Sequence, residues 1–139
     1  MKFSYLICVV AFLASVSQAA PSAKKDVDSG VFKDRKAPLL WQDNAYVEET
    51  RVSWEGAKKY CEELKLAGFK DWRLPTVEEL RGLNLQNQYL VYSHEGFYWS
   101  STENSQKKEY IDAVNLSMGI VMPLSKELKN QNRCVRTIK

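Results

Sequence analysis

Apolar residues follow three different patterns along this chain. Phe3 to Val16 form an almost unbroken apolar block behind Met1-Lys2. A stripe at spacings of three, four and three joins Trp54, Ala57, Cys61 and Leu64, the mark of an amphipathic helix. Ser53 is its N-cap, Glu55 complements the positive end of the helix dipole, and Gly68 is the expected terminator. Pro75 interrupts any helix running through it. Thr76 with Glu79 three residues on makes a capping box, so a second, short helix carries Val77, Leu80 and Leu83 on one side.

Either side of the helices the pattern is that of strands. Leu39-Leu40-Trp41-Gln42 reads as a short first strand closed by a turn at Asp43-Asn44. Strand propensity returns at Tyr98–Thr102 and across Glu109–Leu116. Ser117-Met118-Gly119 is a turn into Ile120-Val121-Met122, and Cys134–Ile138 is a last strand. Strand, two helices, then antiparallel strands is an α+β arrangement.

The N-terminal block is too short for a stable transmembrane helix, and Ser17-Gln18-Ala19 supplies the small residues a signal peptidase reads. Residues 1–19 are therefore expected to be a signal peptide, 20–38 a flexible polar tether, and 39–139 the folded domain. The mature chain carries no transmembrane segment and belongs in the periplasm or outside the cell. Export leaves Cys61 and Cys134, an even count in an oxidising compartment, which favours a disulfide over a metal or redox pair.

Length and charge narrow the function. At 139 residues and 16.0 kDa the chain holds one domain. Its net charge of +3 resides in the leader and tether, because basic and acidic residues balance from Leu39 onward. A neutral body excludes a dedicated nucleic-acid binder. Local basic charge gathers at Lys107, Lys108, Lys126, Lys129, Arg133 and Arg136, where converging loops would hold an anionic polymer. Of four tryptophans, Trp99 beside Ser100 and Ser101 is the candidate for stacking on a sugar, and the others are read as packing. Arg73 is read as pairing with Glu79. His94 beside Glu95 is read as an exposed loop residue, and no phosphate loop, dinucleotide fingerprint or hydrolase triad order is present. No catalytic residue, metal ligand or cofactor is assigned.

The segments LLWQDN (39–44), SWEGAKKYCEELKLAGFKDWRLPTVEEL (53–80), YWSSTE (98–103) and RCVR (133–136) resemble a family of exported bacterial domains. That family is named after the C-terminal domain of a Legionella collagen-like adhesin. The resemblance implies a C-type-lectin-like fold, related to formylglycine-generating enzymes, with a disulfide from the first helix to the last strand, where Cys61 and Cys134 stand. It also implies a binding module, the best-known relative being a trimeric adhesin domain for sulfated polysaccharides. The Glu-Pro-Asn or Gln-Pro-Asp loop and Trp-Asn-Asp triplet of calcium-dependent lectins are missing, so calcium-bridged sugar binding is not expected. The second C-terminal cysteine of the formylglycine-generating enzymes is missing as well. The expected partner is a glycan, an anionic polysaccharide or an envelope protein. The alternatives are a structural subunit of a periplasmic assembly and a divergent formylglycine-generating enzyme.

Overall fold

The computed structural model describes residues 29–93 and 95–139. The leader expected over 1–19, the first part of the tether, and His94 lie outside the described residues. Ten short elements follow. They are β1 (Val31–Lys33), β2 (Leu39–Gln42), α1 (Tyr46–Glu49), α2 (Trp54–Glu63), α3 (Val77–Asn84), a 3-10 turn (Asn87–Tyr89), β3 (Phe97–Tyr98), β4 (Tyr110–Asn115), β5 (Val121–Ser125) and β6 (Val135–Thr137). They build two antiparallel three-stranded sheets, ordered β1-β2-β6 and β3-β4-β5.

The α+β reading holds, and the helix starts fall where the caps placed them. Ser53 accepts a hydrogen bond from Gly56 N, and Thr76 and Glu79 form both halves of the capping box. The apolar stripes then divide between two packed groups. One joins Trp41 on β2, Leu80 and Leu83 on α3, Val114 on β4 and Val135 on β6. The other joins Trp54, Ala57 and Cys61 on α2 to Trp72, Leu74, Trp99, Ile111 and Ala113. Cys61 and Cys134 are bonded to each other and fully buried, their Cα atoms 5.5 Å apart, so α2 is stapled to the start of β6.

Four local expectations change. Residues 31–38 are part of the fold rather than tether: β1 pairs with β2, and Asp34 is buried in the turn between them. Burial alone would raise the Asp34 carboxyl. Donors from Gln86, Trp41 and the Lys36 and Ala37 amides outweigh it and hold the carboxyl below the usual carboxylate range. The Asp43-Asn44 turn leads into α1, whose Tyr46 stacks on Tyr60 at 3.8 Å. Helix α2 stops at Glu63 rather than at Gly68, because the extended chain beyond it lets both Leu64 and Leu66 pack against the core. Gly68 (φ +80) and Ala67 (φ 52) instead make a tight turn closing Leu66 on Phe69. The strand expected over Tyr98–Thr102 leaves its sheet after Tyr98, since Trp99 N donates to Gln131 O and Ser101 N to Pro75 O.

The disulfide closes a loop across a sequence separation of 73. On the chain-entropy model its loss costs about 4 kcal/mol. Cys61→Ala/Cys134→Ala is expected to unfold at a clearly lower urea concentration than the oxidised protein. An unchanged midpoint would show that the staple adds nothing.

Candidate functional site

The backbone brings three distant segments to one surface. Val52 and Asn130 exchange backbone hydrogen bonds of 2.9 and 3.0 Å, and Trp54 N donates to Lys126 O at 3.1 Å. These contacts strap the 126–130 loop onto the start of α2. On the other side, Arg73 pairs with Val135 through two 2.9 Å backbone bonds, which extends the β1-β2-β6 sheet and fixes the approach to α3. Between the two lies an open cleft of about 580 Å³, lined by Trp54, Lys58, Glu62, Arg73, Leu74, Thr76, Ser101 and Glu103. A second hollow of about 450 Å³ shares Glu103 and continues past Asn104, Lys108, Glu109 and Tyr110 to Lys126.

Trp54 is the centre of this surface. Its indole N–H donates to Ser100 O at 2.9 Å, which fixes the ring plane. The ammonium groups of Lys58 and Lys126 lie 4.4 and 4.6 Å from the ring centroid, both within cation–π range. Lys126 also lies 3.9 Å from Glu103 and 3.7 Å from Glu109. Trp54 itself is only 5% exposed, so the cleft offers two cations held over a largely covered indole, with exposed carboxylates at the rim. That combination can hold an anionic group. It brings together no nucleophile with a base.

The expected site residues divide. Trp99 is wholly buried and its indole N–H donates to Val52 O at 2.7 Å, so it is a core residue and not a stacking platform. Arg133 is also wholly buried. It pairs with Asp43 at 3.2 Å and donates to the carbonyls of Gln42 and Tyr92, and its burial keeps it out of a ligand's reach. Arg136 is 7% exposed, bound to Asp71 at 2.6 and 3.1 Å, and stacked over Phe69. Both arginines were expected at the surface, and both are internal because carboxylates distant in sequence meet them. Lys108 and Lys126 line the second hollow, and Lys107 stands over the Tyr110 ring at 3.7 Å. Lys129 is exposed on the adjoining turn. Trp54 is the core residue the sequence indicates, and with Lys58, read as solvated helix face, it also lines the cleft. Their (i, i+4) spacing on α2 is the signal that pairs them.

Arg73 contributes rigidity to the cleft wall. Its guanidinium grips Glu79 at 2.7 and 2.9 Å, as the sequence led us to expect, and the same carboxylate accepts from Thr76 N. Burial would raise the Glu79 carboxyl, but the Arg73 and Thr76 donors prevail and hold it below the usual range. The stabilisation is then complete above the unfolded-state value near about 4.3 and is lost as pH falls through the lower folded value. Glu79→Gln is expected to lower stability at pH 7 and to flatten its decline between about pH 5 and pH 3. Urea unfolding across that range checks this, and an unaltered acid limb would remove Glu79 from the account.

Among the described residues, no helix is long and apolar enough to cross a membrane. Comparison with curated proteins returns no match. Among solved structures the chain is similar to botrocetin, at 13% identity and a TM-score of 0.55, over 82% of this chain and all of that one. That likeness shows a C-type-lectin-like fold. Residues 30–136 match the family model of the Lcl C-terminal domain. The match takes in β1 and Asp34, in agreement with the earlier start of the fold seen in the structure. With most of its length matched, from the turn before β1 to Arg136 in β6, this chain belongs to the Lcl C-terminal domain family.

Proposed function

We propose that this protein is an exported, non-catalytic binding module of the bacterial envelope, recognising a glycan or a sulfated or otherwise anionic polymer through the cleft at Trp54. The observation that carries the reading is the pair of ammonium groups, Lys58 and Lys126, set within 4.6 Å of one indole ring at the floor of an open cleft. A polymer threads an open cleft, and its charged groups find the cations that the buried indole holds in place. Lys107, Lys108 and Lys129 extend the positive track beyond Lys126. Export is supported by the leader composition of residues 1–19 and by the disulfide, which persists in an oxidising compartment. Both cysteines being joined also speaks against a thiol-based enzyme of the formylglycine-generating kind.

The test is binding of the oxidised chain from Ala20 onward to immobilised glycans and sulfated polymers, with calcium and with chelator. Selective binding that is indifferent to chelator is expected. Lys58→Gln/Lys126→Gln is expected to weaken it by about tenfold, two charge contacts at about 0.7 kcal/mol each. Folded protein that binds nothing, or a double variant that binds as well as the parent, would overturn the reading.

A further inference from the structure

Lys126 is met by two carboxylates of its own chain. Its ammonium group lies 3.9 Å from Glu103 and 3.7 Å from Glu109, beside the Trp54 ring. Neither carboxylate is needed to place it. The Lys126 amide donates to Glu109 O, its carbonyl accepts from Trp54 N, and its ammonium lies 4.6 Å from the ring centroid. So held, the Lys126 side chain is 18% exposed, against 68% for each glutamate. The two contacts are also longer than the roughly 2.8 Å of a charge-assisted hydrogen bond. They balance the charge of Lys126 without gripping it, whereas Glu79 grips Arg73 at 2.7 Å.

Glu109 also occupies a costly conformation. Lys107 to Tyr110 make a turn closed by Tyr110 N donating to Lys107 O. The third residue of that turn, Glu109, has φ 65. A left-handed position of this kind favours glycine or asparagine, and other side chains there cost stability. Among the described residues Ala67 is the one other non-glycine with positive φ, and it lines neither hollow. Glu109 lines the second hollow, and Glu103 lines both. The strained turn beside the cleft therefore carries a carboxylate aimed at the cleft's own cation.

We infer that Glu103 and Glu109 are built-in counterions of the Trp54 cleft, which a ligand's anionic groups must displace from Lys126. This rests on the cleft reading above and adds what limits the affinity of that site. In the free protein the two carboxylates stand where a ligand's charge would stand. An incoming anionic group gains the Lys126 contact only as theirs is lost, and both repel it while they remain. Exposed and loosely held, they turn out into water at little cost. The two glutamates thus set the affinity of the cleft below what its cations alone would give.

Glu103→Gln/Glu109→Gln tests this in the oxidised chain from Ala20 onward, with dextran sulfate as the probe. The variant is expected to bind about fivefold tighter than the parent, the effect of freeing one cation from two exposed pairs. Glu49→Gln/Glu63→Gln makes the same change in net charge at exposed positions lining neither hollow, and is expected to stay within about twofold of the parent. Introduced into Lys126→Gln, the Glu103→Gln/Glu109→Gln change is expected to add no more than about twofold, because the cation it frees is gone. Glu109→Gly also relaxes the turn, so it is expected both to bind tighter and to unfold at a higher urea concentration.

Glu103→Gln/Glu109→Gln binding no tighter than Glu49→Gln/Glu63→Gln, while Lys58→Gln/Lys126→Gln weakens binding, would overturn the inference and leave the cleft reading standing. Weaker binding by Glu103→Gln/Glu109→Gln would also overturn it, because the carboxylates would then be positioning Lys126. So would a lower urea midpoint for Glu109→Gly, which would make its carboxylate a clamp on the loop. Dextran sulfate ignored by the folded parent and by every variant would end both readings.

Discussion

The fold turns on one buried charge. The Arg133 guanidinium is sealed from solvent, and it is tolerable there only because Asp43 and two carbonyls surround it. Asp43 in turn accepts from the amides of Val91 and Tyr92 at 2.8 and 2.9 Å. One ion pair thus joins the end of β2, the loop after the 3-10 turn and the segment leading into β6. Gln42, next to Asp43, accepts from Cys134 N and donates to Tyr60, so the same node reaches the disulfide and α2. With these segments fixed, the 126–130 loop has a defined place on α2, and Lys126 a defined place over Trp54.

This node also explains what the sequence could and could not say. Ser53, Thr76, Glu79 and Arg73 were legible because each partner lies within six residues, where spacing alone decides the contact. The two cysteines were legible because compartment and count constrain them. Arg133 and Arg136 were not, since the carboxylates that internalise them lie 90 and 65 residues away. A run of basic residues looks like a surface patch until distant partners claim its members. Trp99 loses its expected surface role for a related reason, and joins Trp54 in the core. Both are apolar and both are largely buried. Only tertiary packing decides which ring has lysines drawn over it. Asp34 makes the same point at the domain boundary: its neighbours are polar and read as tether, while its partner Gln86 stands 52 residues on.

The molecule keeps its two surface chemistries apart. Around Trp54 charges of both signs cluster on α2, the 99–110 segment and the 126–130 loop. The β4–β5 turn, on the same hairpin as Tyr110 and Lys126, is free of charge. A single antiparallel pair therefore carries a polar end and an apolar end, with the wholly buried Ile111, Ala113 and Val114 between them.

The order β1-β2-β6 has a mechanical meaning. β1 and β6 both run antiparallel to β2 and so parallel to each other, with Val31 opposite Gln42 and Thr137 opposite Leu39. Tension applied through the outer ends of β1 and β6 loads both ladders along the strands, so their hydrogen bonds resist together in shear rather than opening one at a time. Should they yield, the Cys61–Cys134 bond still withholds the chain between its sulfurs from extension. Fully drawn out, that stretch would measure roughly 250 Å. The covalent link therefore caps how far the domain lengthens under pull: Lys126 and the β4–β5 hairpin stay inside the closed part, while Trp54 and Lys58, which precede Cys61, lie on the stretch that is free to extend.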